Sequence, residues 1–253
     1  MTTETMTTIT IAARFCGPPG SGNGGYTAGR LAAFIDGPAE VTLRRPSPLD
    51  RALAVVRLAD GSVELRDGDT LIAAARSASP VAIAKAIAPP SLADARAAAA
   101  RTFDASLHAI PGCFVCGPGR TAGDGLRIHV GPVDAADTDW TGVLAAPWIP
   151  DAGLAGADGR VRPEFLWAAL DCPTAYASAT AAGMPPILLG RQTVAIEALP
   201  PAGDTLVVAA KRRSCDGRKH YSDAALFTAD GRRLAVGNSV WIEVAPEVLH
   251  GAA

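Results

Sequence analysis

Aromatic side chains are few in this sequence, and its net charge is small. Only 5% of its 253 residues are Phe, Trp or Tyr, and 23 Lys and Arg stand against 25 Asp and Glu. Near-neutrality removes any global electrostatic case for nucleic acid or an anionic membrane surface as partner. No apolar run approaches the roughly 20 residues that a membrane helix needs. The cysteines Cys16, Cys113, Cys116, Cys172 and Cys215 are odd in number and not spaced as a disulfide framework, which favours a reducing compartment. Met1 to Thr10 is Thr-rich and lacks the basic segment of a signal peptide, so a cytoplasmic protein is expected. A Walker phosphate loop is missing. The Gly-rich stretch from Gly17 to Gly25 lacks the preceding strand and downstream acid of a dinucleotide fingerprint. What is present in quantity is apolar, 49% of the chain, enough to bury a substantial core.

Periodicity and turn chemistry divide the chain. Ile9 to Phe15 reads as a strand. The loop Cys16 to Gly25 leads into a helix from Gly24 through Phe34, with Asn23 placed to cap it. Strands are predicted over Glu40–Arg45, Leu53–Leu58, Ser62–Arg66 and Thr70–Ser77, with hairpin signals at Asp60-Gly61 and Asp67-Gly68. The Ala-rich stretch Val81 to Arg101 reads as a linker, helical from Ser91. Further strands are predicted over Leu126–Val130, Trp140–Ala146, Gln192–Leu199, Thr205–Arg213, His220–Thr228 and Arg232–Val244, with Asp216-Gly217 and Asp230-Gly231 as breaks. Between them lies Pro163 to Pro173, a helix apolar on nearly every side that carries an acid, Asp171, near its end. The order of helix, Pro-Pro break and two Asp-Gly turns occurs twice. This predicts an α+β tandem: a unit over residues 1–88, a linker over 89–107 and a second unit over 108–253.

Several residues have the chemistry of a site, each with a structural alternative. Backbone N–H groups of Gly25 and Tyr26 lie at a helix N-terminus, where amides are unpaired and the macrodipole is positive; they suit an oxyanion. Equally, Asn23 caps the helix and the glycines form a tight turn. Asp171 suits a general base or a nucleophile, its basicity raised by apolar surroundings. It is also placed to cap a second helix entered through Pro173. Cys113 and Cys116 have metal-knuckle spacing with His108 nearby, but one Cys-x-x-Cys supplies too few ligands, and no metal is expected. Cys172 is a nucleophile candidate without a histidine in a recognisable motif. Lys211, Arg212, Arg213, Arg218 and Lys219 flank one hairpin, and Arg44 and Arg45 end a strand in the other unit. Such groups suit phosphates or merely a solvated hairpin tip.

A helix followed by long antiparallel strands, with a carboxylate on the helix, resembles the hotdog fold of acyl-CoA thioesterases. Two units in one chain resemble the double-hotdog members. Cys113-x-x-Cys116-Gly117 with Gly125-Leu126 is similar to the opening of phenylacetyl-CoA-type hotdog thioesterases, Leu170-Asp171 to their acid-bearing segment, and Asp230-Gly-Arg-Arg-Leu-Ala235 to their last hairpin. The resemblance implies hydrolysis of an acyl-CoA thioester to free acid and coenzyme A, a part in fatty acid metabolism, and no cofactor beyond the coenzyme A of the substrate. It implies Asp171 as acid, Asn23-Gly24-Gly25 as helix opening, and Gln192 and Thr193 as partners of the acid, as in acyl-CoA thioesterase II. By their charge, Arg213, Arg218 and Lys219 are candidate contacts to the phosphates of such a coenzyme A, with a solvated hairpin tip as the alternative. The departures are complementary: unit one has Ala32 where the acid stands, and unit two has Pro163-Glu164 in place of the glycines. One composite site is therefore expected, built from both units. The alternatives are a non-catalytic acyl-CoA-binding protein, or a hydratase or dehydratase on the same fold. The latter pairs an Asp with a His, a context that His129 and His220 lack. Partners expected are a small-molecule acyl-CoA, neither nucleic acid nor membrane, and further copies of the chain across open sheet edges.

Overall fold

Four Asp-Gly pairs form hairpins. Gly61, Gly68, Gly217 and Gly231 all have positive φ, between 54° and 89°, which glycine adopts without a Cβ clash. The structure, a computed structural model, describes residues 4–79, 87–180 and 183–249. Its strands are β1 (Glu4–Thr10), β2 (Ala39–Leu43), β3 (Ala52–Arg57), β4 (Val63–Asp67), β5 (Thr70–Ser77), β6 (Gly131–Pro132), β7 (Val143–Trp148), β8 (Ile187–Ile196), β9 (Leu206–Asp216), β10 (Lys219–Thr228) and β11 (Arg233–Glu243). They make one sheet in the order β1-β3-β4-β5-β2-β8-β11-β10-β9-β7-β6. Every pairing is antiparallel. The strand order β1-β3-β4-β5-β2 on one side matches β7-β9-β10-β11-β8 on the other, and the join is the pairing of β2 with β8 from Ala39↔Val194 to Thr42↔Arg191.

The helices are α1 (Gly24–Ala32), α2 (Leu92–Ala99), α3 (Pro163–Ala169), α4 (Cys172–Tyr176) and α5 (Pro246–Leu249). Alternation along β9 distributes its apolar side chains to two faces. Leu206, Val208 and Ala210 join the main core with α1 and α3, while Val207 and Ala209 pack with Ala95 and Ala98 of α2 on the opposite face. The continuous apolar run of β9 therefore reflects a segment covered on both sides.

Three sequence expectations change. Ile9 to Phe15 is not one strand: β1 ends at Thr10, and Ala13–Phe15 is a 3-10 turn. Leu126 to Val130 has real alternation, with Leu126, Ile128 and Val130 buried, but it pairs with the Cys-x-x-Cys segment through Leu126 N–Phe114 O and Ile128 N–Val115 O and forms no strand. The helix over Pro163 to Pro173 is two helices. Pro173 has no N–H to donate and its ring obstructs the carbonyl four residues back, so the chain breaks at Leu170-Asp171 and restarts. The helix expected from Ser91 is α2, capped by Ser91 Oγ accepting from Asp94 N. The first part of that Ala-rich stretch, residues 80–86, lies outside the described residues.

Candidate active site at the α1–α3 crossing

Gly25 and Gly29 lie four apart on one face of α1, against α3. A Cβ on Gly29 would come within 2.7 Å of Glu164 Cα, and one on Gly25 within 2.4 Å of Asp171 Cβ. Only glycine permits this approach. It brings the first turn of α1 directly against the break between α3 and α4.

Asp171 sits at that break, 1% exposed. Its carboxylate does not cap α4. Instead Oδ2 accepts from Asn23 Nδ2 at 2.8 Å and from Gly25 N at 3.1 Å. Asn23 is oriented by its other end, since Oδ1 accepts from Tyr26 N at 2.8 Å and so turns the amide nitrogen to the acid. Asp171 Oδ1 has no hydrogen-bond partner among the described residues. Burial raises the carboxyl to about 7. Negative charge on Cys113 adds to the rise, and the Gly25 and Asn23 donors oppose it.

The two helix-opening amides proposed for an oxyanion are thus both engaged: Gly25 N on Asp171, Tyr26 N on Asn23. The capping alternative for Asn23 holds, and Asn23 does two things at once. The first amide of α1, Gly24 N, has no partner among the described residues, and Gly24 lines the main cavity.

That cavity has a volume of about 470 Å³, within the range of small-molecule sites. Asn23, Gly24 and Asp171 lie on its wall, with apolar surface from Leu43, Leu189 and Trp241. Arg44 and Arg45, both exposed, also line it.

Other predicted residues fall elsewhere. Gln192 is buried, and its Nε2 donates to Trp167 O at 3.1 Å, beneath the last turn of α3; it does not line the cavity. Thr193, its neighbour in the strand, points to the other face of the sheet and lines a second pocket with Arg76, Arg191 and Arg213. Arg213 is 3.4 Å from Asp223, and Arg218 reaches Glu243 O at 3.5 Å. Lys219 is exposed at the start of β10. None of the three cations lines the main cavity, whereas Arg44 and Arg45, which follow β2, do.

A cluster of thiols escaped the sequence reading. Cys113, Cys116 and Cys172 are buried, line the cavity, and place their sulfurs within 4.8 Å of one another. Phe114 N bonds to Cys16 O and Asn23 N to Phe15 O, so the Gly-rich loop carries the Cys-x-x-Cys turn to the mouth of α1. Hydrogen bonds from the Cys116 and then the Cys172 thiol pull Cys113 well below the usual thiol range. The local signal was Cys113-x-x-Cys116; the third thiol comes from 59 positions beyond Cys113.

This sheet order wrapped around buried helices has relatives of known structure. A tesB protein from Mycobacterium avium subsp. paratuberculosis aligns over 90% of both chains, with TM-score 0.57 and 13% identity. A hot dog fold protein of unknown function from Alicyclobacillus acidocaldarius aligns over 94% of this chain and 92% of its own, with TM-score 0.58 and 14% identity. The chain has the hotdog fold. A Novosphingobium aromaticivorans protein, provisionally named a thioesterase, aligns over 94% and 95% with TM-score 0.57 and 15% identity. No protein family model matches the chain, and no curated protein matches its sequence. Among the described residues no helix of this hotdog protein is long and apolar enough to cross a membrane.

Proposed function

We propose that the chain is a double hotdog that hydrolyses an acyl-CoA thioester at one composite site. The strand order repeated about the β2–β8 join supports two units, near residues 1–88 and 108–253. α2 falls in the linker, 89–107, and packs on β7 and β9 of the second unit. The observation that carries the activity is the divided carboxylate of Asp171. One oxygen is held by Asn23 and Gly25 from α1, and the other is unpartnered in a group on the wall of a cavity of about 470 Å³.

In this reading Asp171 Oδ1 accepts a proton from water as the water oxygen attacks the thioester carbonyl. The negative charge on the former carbonyl oxygen is met by the free Gly24 amide at the positive end of α1. Collapse breaks the C–S bond, and the proton held by Asp171 passes to the departing thiolate, giving free acid and coenzyme A. The apolar wall of Leu43, Leu189 and Trp241 suits an acyl group, and Arg44 and Arg45 suit the phosphates of coenzyme A. Gln192 supports the site indirectly, by holding the last turn of α3. Hydratase chemistry is less well served, because the cavity histidine, His108, has Nδ1 occupied by Ile110 N and Nε2 on Cys116.

The test is release of free thiol from a panel of acyl-CoA esters by the purified protein, beside Asp171→Asn. Turnover by the wild type and its loss in the variant support the mechanism. Full activity of Asp171→Asn overturns it. Saturable binding of the esters without turnover supports the acyl-CoA-binding alternative instead.

A further inference from the structure

The three thiols beside Asp171 are arranged as metal ligands. Cys113 and Cys116 belong to a Cys-x-x-Cys-Gly turn. The N–H groups of Val115 and Cys116, in the turn itself, help to hold Cys113 below the usual thiol range, as a short loop does when its backbone favours a thiolate. Gly117 is required by this turn: a Cβ there would lie 2.5 Å from both Cys113 O and Pro111 O. The spacing is that of one half of a structural zinc site. Cys172, delivered by the break between α3 and α4, supplies what the turn lacks.

Distances agree with coordination. Sulfurs bound to a tetrahedral zinc at about 2.3 Å lie about 3.8 Å from each other. Cys113 Sγ and Cys172 Sγ are 3.6 Å apart, and all three sulfurs fit within 4.8 Å. Hence small side-chain adjustments suffice.

The surroundings also fit. Three thiolates on a divalent cation leave one net negative charge, which needs N–H donors when buried. Asn23 Nδ2 lies 3.9 Å from both Cys113 Sγ and Cys172 Sγ. His108 approaches Cys116 Sγ at 3.3 Å through Nε2. His108 Nδ1 accepts from Ile110 N, which leaves the proton on Nε2. His108 is therefore a donor to sulfur and not a fourth ligand.

We propose that Cys113, Cys116 and Cys172 bind one thiophilic divalent cation, zinc in the first place, through three thiolates. Its fourth position is left to a water or a substrate atom from the cavity that the three residues line. Binding forms three metal–sulfur bonds and releases to solvent the protons of those sulfurs that still carry one, with no change of oxidation state. The site depends on neither hydrolysis nor the assignment of a substrate.

The experiment is an anaerobic titration of the reduced, chelator-stripped full-length protein with Co²⁺, followed by Zn²⁺. The expected result is one equivalent of Co²⁺ bound with thiolate-to-metal charge-transfer absorption, bleached by one equivalent of Zn²⁺, and protons released to the buffer. Cys172→Ser weakens binding by about 100-fold or more, beyond the effect of His108→Ala, which costs about 10-fold as the loss of a donor to a ligand. Cys16→Ser and Cys215→Ser bind as the wild type does. Absence of the absorption in wild type, or unchanged binding by Cys172→Ser, overturns the proposal. Should Cys172→Ser fail to fold, wild type decides alone. Zn²⁺ must shield Cys113, Cys116 and Cys172 together from a maleimide, and protection of Cys113 and Cys116 without Cys172 overturns it. Each readout is metal binding, so an inactive protein that binds the metal would sink the hydrolytic reading and leave this one standing.

Discussion

Gly25 N lies 3.1 Å from Asp171 Oδ2, across 146 positions of sequence. The contact joins the start of α1 to the break between α3 and α4. It places a carboxylate where an unpaired helix amide would otherwise face the core.

Replacing Asp171 by Asn removes the proton acceptor and keeps the shape. Turnover of a competent acyl-CoA should fall by about 100-fold or more, the usual worth of a positioned general base. Km should change little, because the acid's task is in the chemical step. Steady-state kinetics of the purified variant check both numbers.

The pH dependence has a definite sign. In the metal-free protein the base form of Asp171 appears as pH rises through about 7, so kcat/KM should rise over that interval. The groups facing it are Asn23 and Gly25 from α1, Cys113 from the Cys-x-x-Cys turn and Cys172 from α4. Asn23→Ala removes an opposing donor and should move the midpoint to higher pH. It should also cost about 1 kcal/mol of stability as a lost helix cap. Stability runs the other way from activity. The folded-state pKa of Asp171 lies above the unfolded value, so its contribution is full below about 4, the unfolded pKa, and lost as pH rises through about 7. Asp171→Asn should therefore gain on wild type in thermal stability between pH 4 and about 8, which melting curves across pH would show.

Gly25→Ala should destabilise the protein by about 1–3 kcal/mol, because the new methyl lands 2.4 Å from Asp171 Cβ and 2.9 Å from Trp167 O. Activity should fall with it, since α1 and the acid must separate. Gly29→Ala meets Glu164 Cα at 2.7 Å, farther from the acid, and should cost stability with a smaller loss of turnover. Denaturant unfolding and kinetics on the two variants separate the effects.

Arg44→Ala and Arg45→Ala should raise Km for acyl-CoA by several-fold with kcat nearly unchanged, more so at low salt. Arg218→Ala and Lys219→Ala should leave both constants alone, because neither residue lines the cavity. Comparison at two ionic strengths checks this.

What could be read from residues alone was whatever local chemistry decides. The four Asp-Gly hairpins and the Asn23 cap follow from the backbone angles that those residues favour. Asp171 is an acid at the end of an apolar run, and Pro173 marks the break. The amides of Gly25 and Tyr26 looked available because their acceptors depend on one Asn rotamer and on a carboxylate far along the chain. Leu126 to Val130 alternates as a strand does, but its partner is a turn. The Cys-x-x-Cys pair offers two ligands in the local sequence, because Cys172 reaches it only after two helices have crossed.

The joining of β2 to β8 within one polypeptide has a genetic consequence. In a symmetric pair of separate chains, each substitution strikes both copies of a site, so an acid cannot be lost from one without being lost from the other. Here the halves mutate independently. On the double-hotdog reading proposed above, Ala32 can stand where a second acid would be, and Pro163-Glu164 where a second pair of glycines would be, without touching the crossing of Gly25 and Asp171.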